Sequence, residues 1–288
     1  MTIRSILCVV DGTDASAATL GTALTLARQQ EAYVEALHVE MDPRDAAPLA
    51  ADGATSTMIQ DIMDTVEEEN RRRSQAAREV FRREAEQAGV RVVDPDAEVP
   101  EGVATGLRTR RGREHEVVAA RGMVFDLVAV PPRRDGSEPP ATATLESAIM
   151  ETGRPTLVSP GQVPAVVGKH VAVAWRATVP GVHALQGSLP LLKAAASVSV
   201  ITVDEGHSGP APAEVARYLA HHGVHATPRA VEPEDRDVGQ AVLEETEAAG
   251  ADLLVMGAYA HSRLRQLILG GVTSTVLRSA AMPLVLAH

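Results

Sequence analysis

At 288 residues the chain is long for one domain and suits two of about 140, and its 45% hydrophobic and 23% charged residues exclude a disordered chain. Its 27 Lys+Arg against 38 Asp+Glu give a net charge of −11, a field that repels nucleic-acid backbones and anionic membranes. Aromatic residues are only 2%, so the core must be built from Ala, Val, Leu and Ile, which suits parallel strands covered by helices.

Met1 to Arg4 lead into Ile6-Leu7-Cys8-Val9-Val10 without a signal-peptide pattern, and no stretch reaches about 18 consecutive apolar residues. The protein is therefore expected to be cytoplasmic. The single cysteine, Cys8, reads as a small buried hydrophobe, and no internal disulfide can form. The run Ser5–Val10 ends at Asp11-Gly12-Thr13-Asp14, the pattern of a buried strand entering a turn. Ala17, Leu20, Ala23, Leu24 and Ala27 then recur at helical spacing, and Tyr33 to Val39 reads as a second strand. A loop rich in Asp, Pro and Ala spans Pro43 to Ser56, and Met58 to Ala88 reads as a long charged helix ended by Gly89. A strand near Val90–Val93, a helix over about Val103–Arg121 and a strand at Asp126–Val130 follow. Pro131 to Pro140 reads as a loop, and a short helix leads to Thr156-Leu157-Val158.

The same order then begins again. Lys169 to Trp175 opens a strand, and Leu185, Leu189 and Leu192 mark a helix. Asp126-Leu127-Val128-Ala129-Val130 matches Asp252-Leu253-Leu254-Val255-Met256, and Arg154-Pro155-Thr156-Leu157-Val158 matches Met282-Pro283-Leu284-Val285-Leu286. Ser159–Gly168 reads as a short linker, so the expected domains are 1–160 and 168–288. Strands alternating with helices at this spacing predict an open, mainly parallel α/β sheet flanked by helices, with any ligand at the carboxyl ends of the strands.

The loop after the fourth strand of the second copy is rich in small residues. It reads Gly257-Ala258-Tyr259-Ala260-His261-Ser262-Arg263, then Leu264–Leu269, then Gly270-Gly271-Val272-Thr273-Ser274. Such a loop lets backbone N–H groups approach a phosphate, while the following helix supplies its positive end and Thr273 or Ser274 a hydroxyl. His261 can touch a phosphate or merely face solvent, and the same holds for Arg263 and Arg265. Other histidines carry less. Gly223 separates His221 and His222 from His225, and no carboxylate cluster completes a metal site. Arg71-Arg72-Arg73 and the run Arg108–Arg113 read as solvated helix faces.

Gly257-x2-Ala260-x9-Gly270-Gly271-Val272-Thr273, preceded by Ala251–Met256 and followed by Met282-Pro283-Leu284-Val285, resembles the carboxyl end of universal stress proteins. The resemblance extends upstream through Arg236-Asp237-Val238 and Gly239-Gln240-Ala241, and more weakly over nearly the whole chain as two copies. It implies two tandem Rossmann-like domains whose final strands, near Leu157 and Leu284, meet across an intramolecular interface. It also implies that Gly257, Ala260, His261, Arg263, Gly270, Gly271, Val272 and Thr273 cradle the phosphates of ATP, with Mg2+ if ATP binds. Ala260 stands where the family has a second glycine, and Gly271 where it has Ser or Thr. The family's acid after the first strand is Asp11 in the first copy, but Arg176 takes that place in the second. The first copy keeps the acid, yet its own loop holds Pro131 and Pro132, which lack N–H donors. The second copy is therefore expected to bind a phosphorylated ligand weakly or in an altered manner, and the first copy no nucleotide.

No nucleophile with a paired base is visible, and Gly-x4-Gly-Lys-Ser/Thr is absent. Three readings stay open: a non-catalytic stress-response or regulatory protein, a weak ATP-hydrolysing enzyme, and a nucleotide-free scaffold. The first is preferred. Its expected partners are a nucleotide, an unidentified protein and a second copy of the tandem unit, with no nucleic acid and no membrane.

Overall fold

The computed structural model describes residues 2–46, 55–96, 100–132, 141–203, 209–233, 236–259 and 271–288. The opening apolar run forms β1 (Ser5–Val9), and the turn after it passes into α1 (Asp14–Gln30). The Thr13 hydroxyl caps that helix by accepting the Ser16 N–H at 3.2 Å. β2 (Tyr33–Glu40) lies parallel to β1. A one-turn helix α2 (Pro43–Ala46) precedes the 33-residue α3 (Ser56–Ala88), which ends as Gly89 turns left-handed at φ 62°.

The segment expected as one helix over Val103–Arg121 is instead a strand, β4 (Ala104–Arg111), followed by α4 (Glu114–Gly122). Tertiary pairing outweighs the charged, helix-like composition here. β4 lies along the whole of β2, and the Thr105 hydroxyl donates to the Val34 carbonyl at 2.9 Å. Gly112, at φ 145°, separates strand from helix. The strand expected near Val90–Val93 shrinks to β3 (Arg91–Val92) at the sheet edge. The strand expected fourth is therefore fifth, β5 (Leu127–Val130), and α5 (Ala141–Glu151) and β6 (Thr156–Val158) complete this half.

Arg108, expected on a solvated face, is only 6% exposed. Its Nε donates to Glu35, itself 2% exposed, at 3.0 Å. Arg121 of α4 donates to the same carboxylate, and Asp96 pairs with Arg108 at 2.8 Å. A strand can carry an arginine inward only where such a carboxylate awaits it.

The second half runs β7 (His170–Ala174), α6 (Val179–Gly187), α7 (Leu189–Ala194), β8 (Ser197–Val203), α8 (Pro212–His221) and β9 (Ala226–Val231). It closes with α9 (Val238–Ala248), β10 (Leu253–Gly257), α10 (Val272–Ser279) and β11 (Leu284–Ala287). The helix expected through Leu185, Leu189 and Leu192 is split at Ser188, since Pro190 starts a new helix more readily than it continues one.

All these strands join one sheet, ordered β3-β4-β2-β1-β5-β6-β11-β10-β7-β8-β9. Every pairing is parallel except β6 with β11, where Leu157 faces Val285 and Val158 faces Leu284. The strands expected to meet across an intramolecular interface do meet there. The chain is thus two tandem Rossmann-like α/β units in one sheet, with α1, α3, α6, α7 and α8 on one face and α4, α5, α9 and α10 on the other. Because the junction is antiparallel, the carboxyl ends of β1 and β5 point opposite to those of β7 and β10, so the two sets of loops cannot form a common site. Among the described residues no helix is long and apolar enough to cross a membrane.

Candidate functional site

In the second half the carboxyl ends of β7 and β10 lie side by side, because Met256 pairs with Ala174. The Thr178 hydroxyl accepts the Gly181 N–H at 3.2 Å and starts α6 directly after the β7 turn. Gly257 ends β10 against that first helical turn. A Cβ on Gly257 would stand 2.5 Å from the Gly181 nitrogen and 2.7 Å from the Pro180 carbonyl carbon. Backbone meets backbone there, so Gly257 serves helix packing first, whatever it offers a ligand. Gly257→Ala is expected to destabilise the protein by about 1–3 kcal/mol, read as a lowered midpoint in urea. An unchanged midpoint would mean that α6 does not sit on β10 in solution.

Beyond Gly257 the chain bends sharply. Tyr259 adopts φ 56°, a conformation that costs a non-glycine residue about 1–2 kcal/mol. The Ala258 N–H returns to the Ala287 carbonyl at 2.8 Å, and His288 Nδ1 lies 3.1 Å from the Ala258 carbonyl. His183 Nδ1 in turn lies 2.8 Å from the His288 carbonyl, so His288 forms part of the rim. Sequence reasoning passed over Tyr259, His183 and His288, since nothing in their spacing announces that the segment after Leu286 closes on this loop.

α10 begins at Gly271, which sits at φ 139° and gives the helix no side-chain cap. Among the described residues no side chain caps its first turn, and Val272 and Thr273 are partly exposed there. α9 supports this start. Its cap, Asp237, accepts the Gly239 N–H at 3.1 Å, and a Cβ on Gly239 would stand 2.7 Å from Thr275 Cβ on α10. Arg176, where the resemblance expects an acid, is partly exposed after β7. Trp175 beside it is buried and donates its indole N–H to the Pro210 carbonyl at 3.0 Å. Ala260, His261, Arg263, Arg265 and Gly270 lie outside the described residues. Of the expected cradle, the structure therefore places Gly257, Gly271, Val272 and Thr273.

In the first half the acid after β1 is engaged locally. Asp11 Oδ1 accepts from both the backbone and the hydroxyl of Thr13, at 2.9 and 2.7 Å. The next residue, Gly12, lies directly under α3: a Cβ there would stand 2.7 Å from Ala76 Cβ. α3 is tied down across the ends of β2 and β4. Ser74 donates to Glu40 at 2.7 Å, and Arg111 reaches both Glu40 and Glu67. His38 Nδ1 lies 2.9 Å from the Val10 carbonyl, and burial holds its pKa below the usual histidine range. Glu114, at the start of α4, accepts from Thr144 at 2.7 Å, and desolvation raises its pKa above the usual carboxylate range. Pro131 and Pro132 are partly buried, while the rest of that loop, to Pro140, lies outside the described residues.

The model of the Usp: Universal stress protein family matches residues 2–120 and 168–288, one match for each half of the sheet. The chain belongs to the universal stress protein family. A universal stress protein from Archaeoglobus fulgidus DSM 4304 shares its fold with a TM-score of 0.63 at 17% identity, covering 99% of this chain and 96% of that one. A putative universal stress protein from Pseudomonas aeruginosa UCBPP-PA14 gives a TM-score of 0.51 at 14% identity, over 99% and 93% of the two chains. The universal stress protein Slr1230 of Synechocystis is 41% identical over 46 residues, a stretch that spans 16% of each chain.

Proposed function

We propose that this tandem universal stress protein is a non-catalytic stress-response or regulatory protein that binds an adenine nucleotide, ATP with Mg2+, in its second domain. The domains divide at 1–160 and 168–288. The observation that carries the reading is the start of α10. Gly271 gives the helix no side-chain cap, and the positive end of a helix so begun suits an anion beside the end of β10. Gly257, Ala260, His261, Arg263, Gly270, Gly271, Val272 and Thr273 form the cradle in this reading. Ala260 and Arg176 keep affinity modest, since the one narrows the backbone conformations of the loop and the other supplies no acid.

Calorimetric titration of the whole chain with MgATP tests this. One equivalent per chain is expected, and Gly270→Glu, which sets a negative charge in the cradle, should weaken it by about tenfold or more, some 1.4 kcal/mol. Absence of heat and of any thermal shift at millimolar MgATP would leave the scaffold reading in its place.

A further inference from the structure

Where the linker meets β7, a cleft of about 310 Å3 opens between the two halves. Gln29 and Gln30 at the end of α1 form one side, Val166 to Lys169 a second, and Leu191 with Ala194 of α7 a third. It lies at the amino ends of β7 and β8, opposite to the proposed second-domain site at the carboxyl ends of β7 and β10. The volume falls at the lower end of the range of about 300–1,000 Å3 usual for small-molecule sites, so a ligand here is small.

Charge is distributed unequally around the cleft. Among the described residues that line it, Lys169 alone is charged. Its ammonium has no ion-pair or hydrogen-bond partner among the described residues. The chain has only two lysines, Lys169 and Lys193, the second on α7 directly before Ala194, and arginine fills every other Lys+Arg position. A lysine brings a compact ammonium instead of a planar fork, which suits a single carboxylate in a narrow space. The neighbouring acids are engaged elsewhere. Glu31 pairs with Arg4 at 3.5 Å, and Asp252 accepts the Gly168 and His170 N–H groups at 2.6 and 3.1 Å.

The α1 side has the opposite polarity. Glu31 turns left-handed at φ 53°, so that its own N–H and that of Ala32 both return to the Ala27 carbonyl. The carbonyls of Arg28, Gln29 and Gln30 are left without a partner among the described residues, and they carry the negative end of the helix. The rest of the lining is apolar, with Val167 and Leu191 buried and Val166 more exposed. A ligand that answers all three sides has an anionic group, a cationic hydrogen-bond donor and an aliphatic body. Such a zwitterion also escapes the repulsion that a net charge of −11 sets up against anions.

We propose that this cleft binds a free aliphatic α-amino acid, its carboxylate on Lys169, its ammonium on the carbonyls at the end of α1 and its side chain against Val166, Val167 and Leu191. Because α1 belongs to the first half and α7 to the second, the bound amino acid ties the halves together.

L-Leucine is the probe, added to the full chain at up to tens of millimolar and followed by calorimetry and saturation-transfer NMR. Saturable binding of one equivalent is expected. Isocaproate, which lacks the ammonium, and isopentylamine, which lacks the carboxylate, should each bind at least about tenfold more weakly. Lys169→Gln should weaken L-leucine binding by at least about tenfold, and Ala194→Trp, at an exposed position, should abolish it by filling the cleft. Both variants should keep the wild-type circular dichroism spectrum; if Ala194→Trp does not fold, Lys169→Gln decides alone. No saturation transfer from L-leucine would overturn the proposal, as would equal binding of isocaproate or undiminished binding by Lys169→Gln. No nucleotide enters the test, so its outcome is independent of the reading given for the second domain.

Discussion

Glu35→Leu is expected to lower the unfolding free energy by about 3–5 kcal/mol, because it strands a buried guanidinium. Arg108 is 6% exposed, and the Glu35 carboxylate faces it at 3.0 Å. Its other ion-pair partner, Asp96, is largely exposed, so water screens that contact and it cannot replace the lost one. Arg121 is less deeply buried and can turn toward solvent, which concentrates the penalty on Arg108. The double variant Glu35→Leu/Arg108→Met should recover most of the loss, since removing both charges also removes their desolvation. Urea unfolding followed by far-UV circular dichroism measures both. A single-variant loss below about 1 kcal/mol would assign the cluster to the class of weak surface pairs.

A charge at the sheet junction should have an effect of similar size. Leu157 and Val285 are fully buried, and they are cross-strand partners in the one antiparallel pairing of the sheet. Leu157→Ala is expected to cost about 2–5 kcal/mol through lost burial and the cavity left behind. Leu157→Asp should cost more, because its carboxylate has no described partner there. The form of the transition matters as much as its position. Since β6 and β11 carry the continuity of the sheet, Leu157→Asp should divide one calorimetric unfolding transition into two, one for each half. A single transition shifted as a whole would mean that the helical layers, rather than the strand pair, couple the halves.

How much of this was legible in the sequence differs from element to element. The β1-turn-α1 opening could be read directly, because a continuous apolar run followed by Asp11-Gly12-Thr13 has few other uses. Arg154–Val158 and Met282–Leu286 matched in sequence, and the structure pairs them. The stretch Ala104–Arg111 was misread because its residues are consistent with a charged helix. Only the presence of β2 along its length, with Glu35 waiting for Arg108, makes it a strand. The candidate site was half legible. The small-residue loop and the start of α10 could be found from glycine spacing. That Gly257 is also required by the first turn of α6 could not, since Pro180 and Gly181 lie far off in the chain.

Local sequence therefore determined the things that depend on neighbours in the chain: which segments are apolar enough to be central strands, where helices begin at Thr13, Thr178 and Asp237, and that the pattern occurs twice. Tertiary structure decided what depends on residues distant in sequence. It set the antiparallel junction that turns the two carboxyl ends in opposite directions, the inward placement of Arg108, and the closing of α3 over Gly12. The physical reason is the same in each case. A hydrogen-bond cap or an apolar run is specified within a few residues, whereas the sign of a buried charge's contribution, or the openness of a cleft, is decided by the group the fold brings to face it.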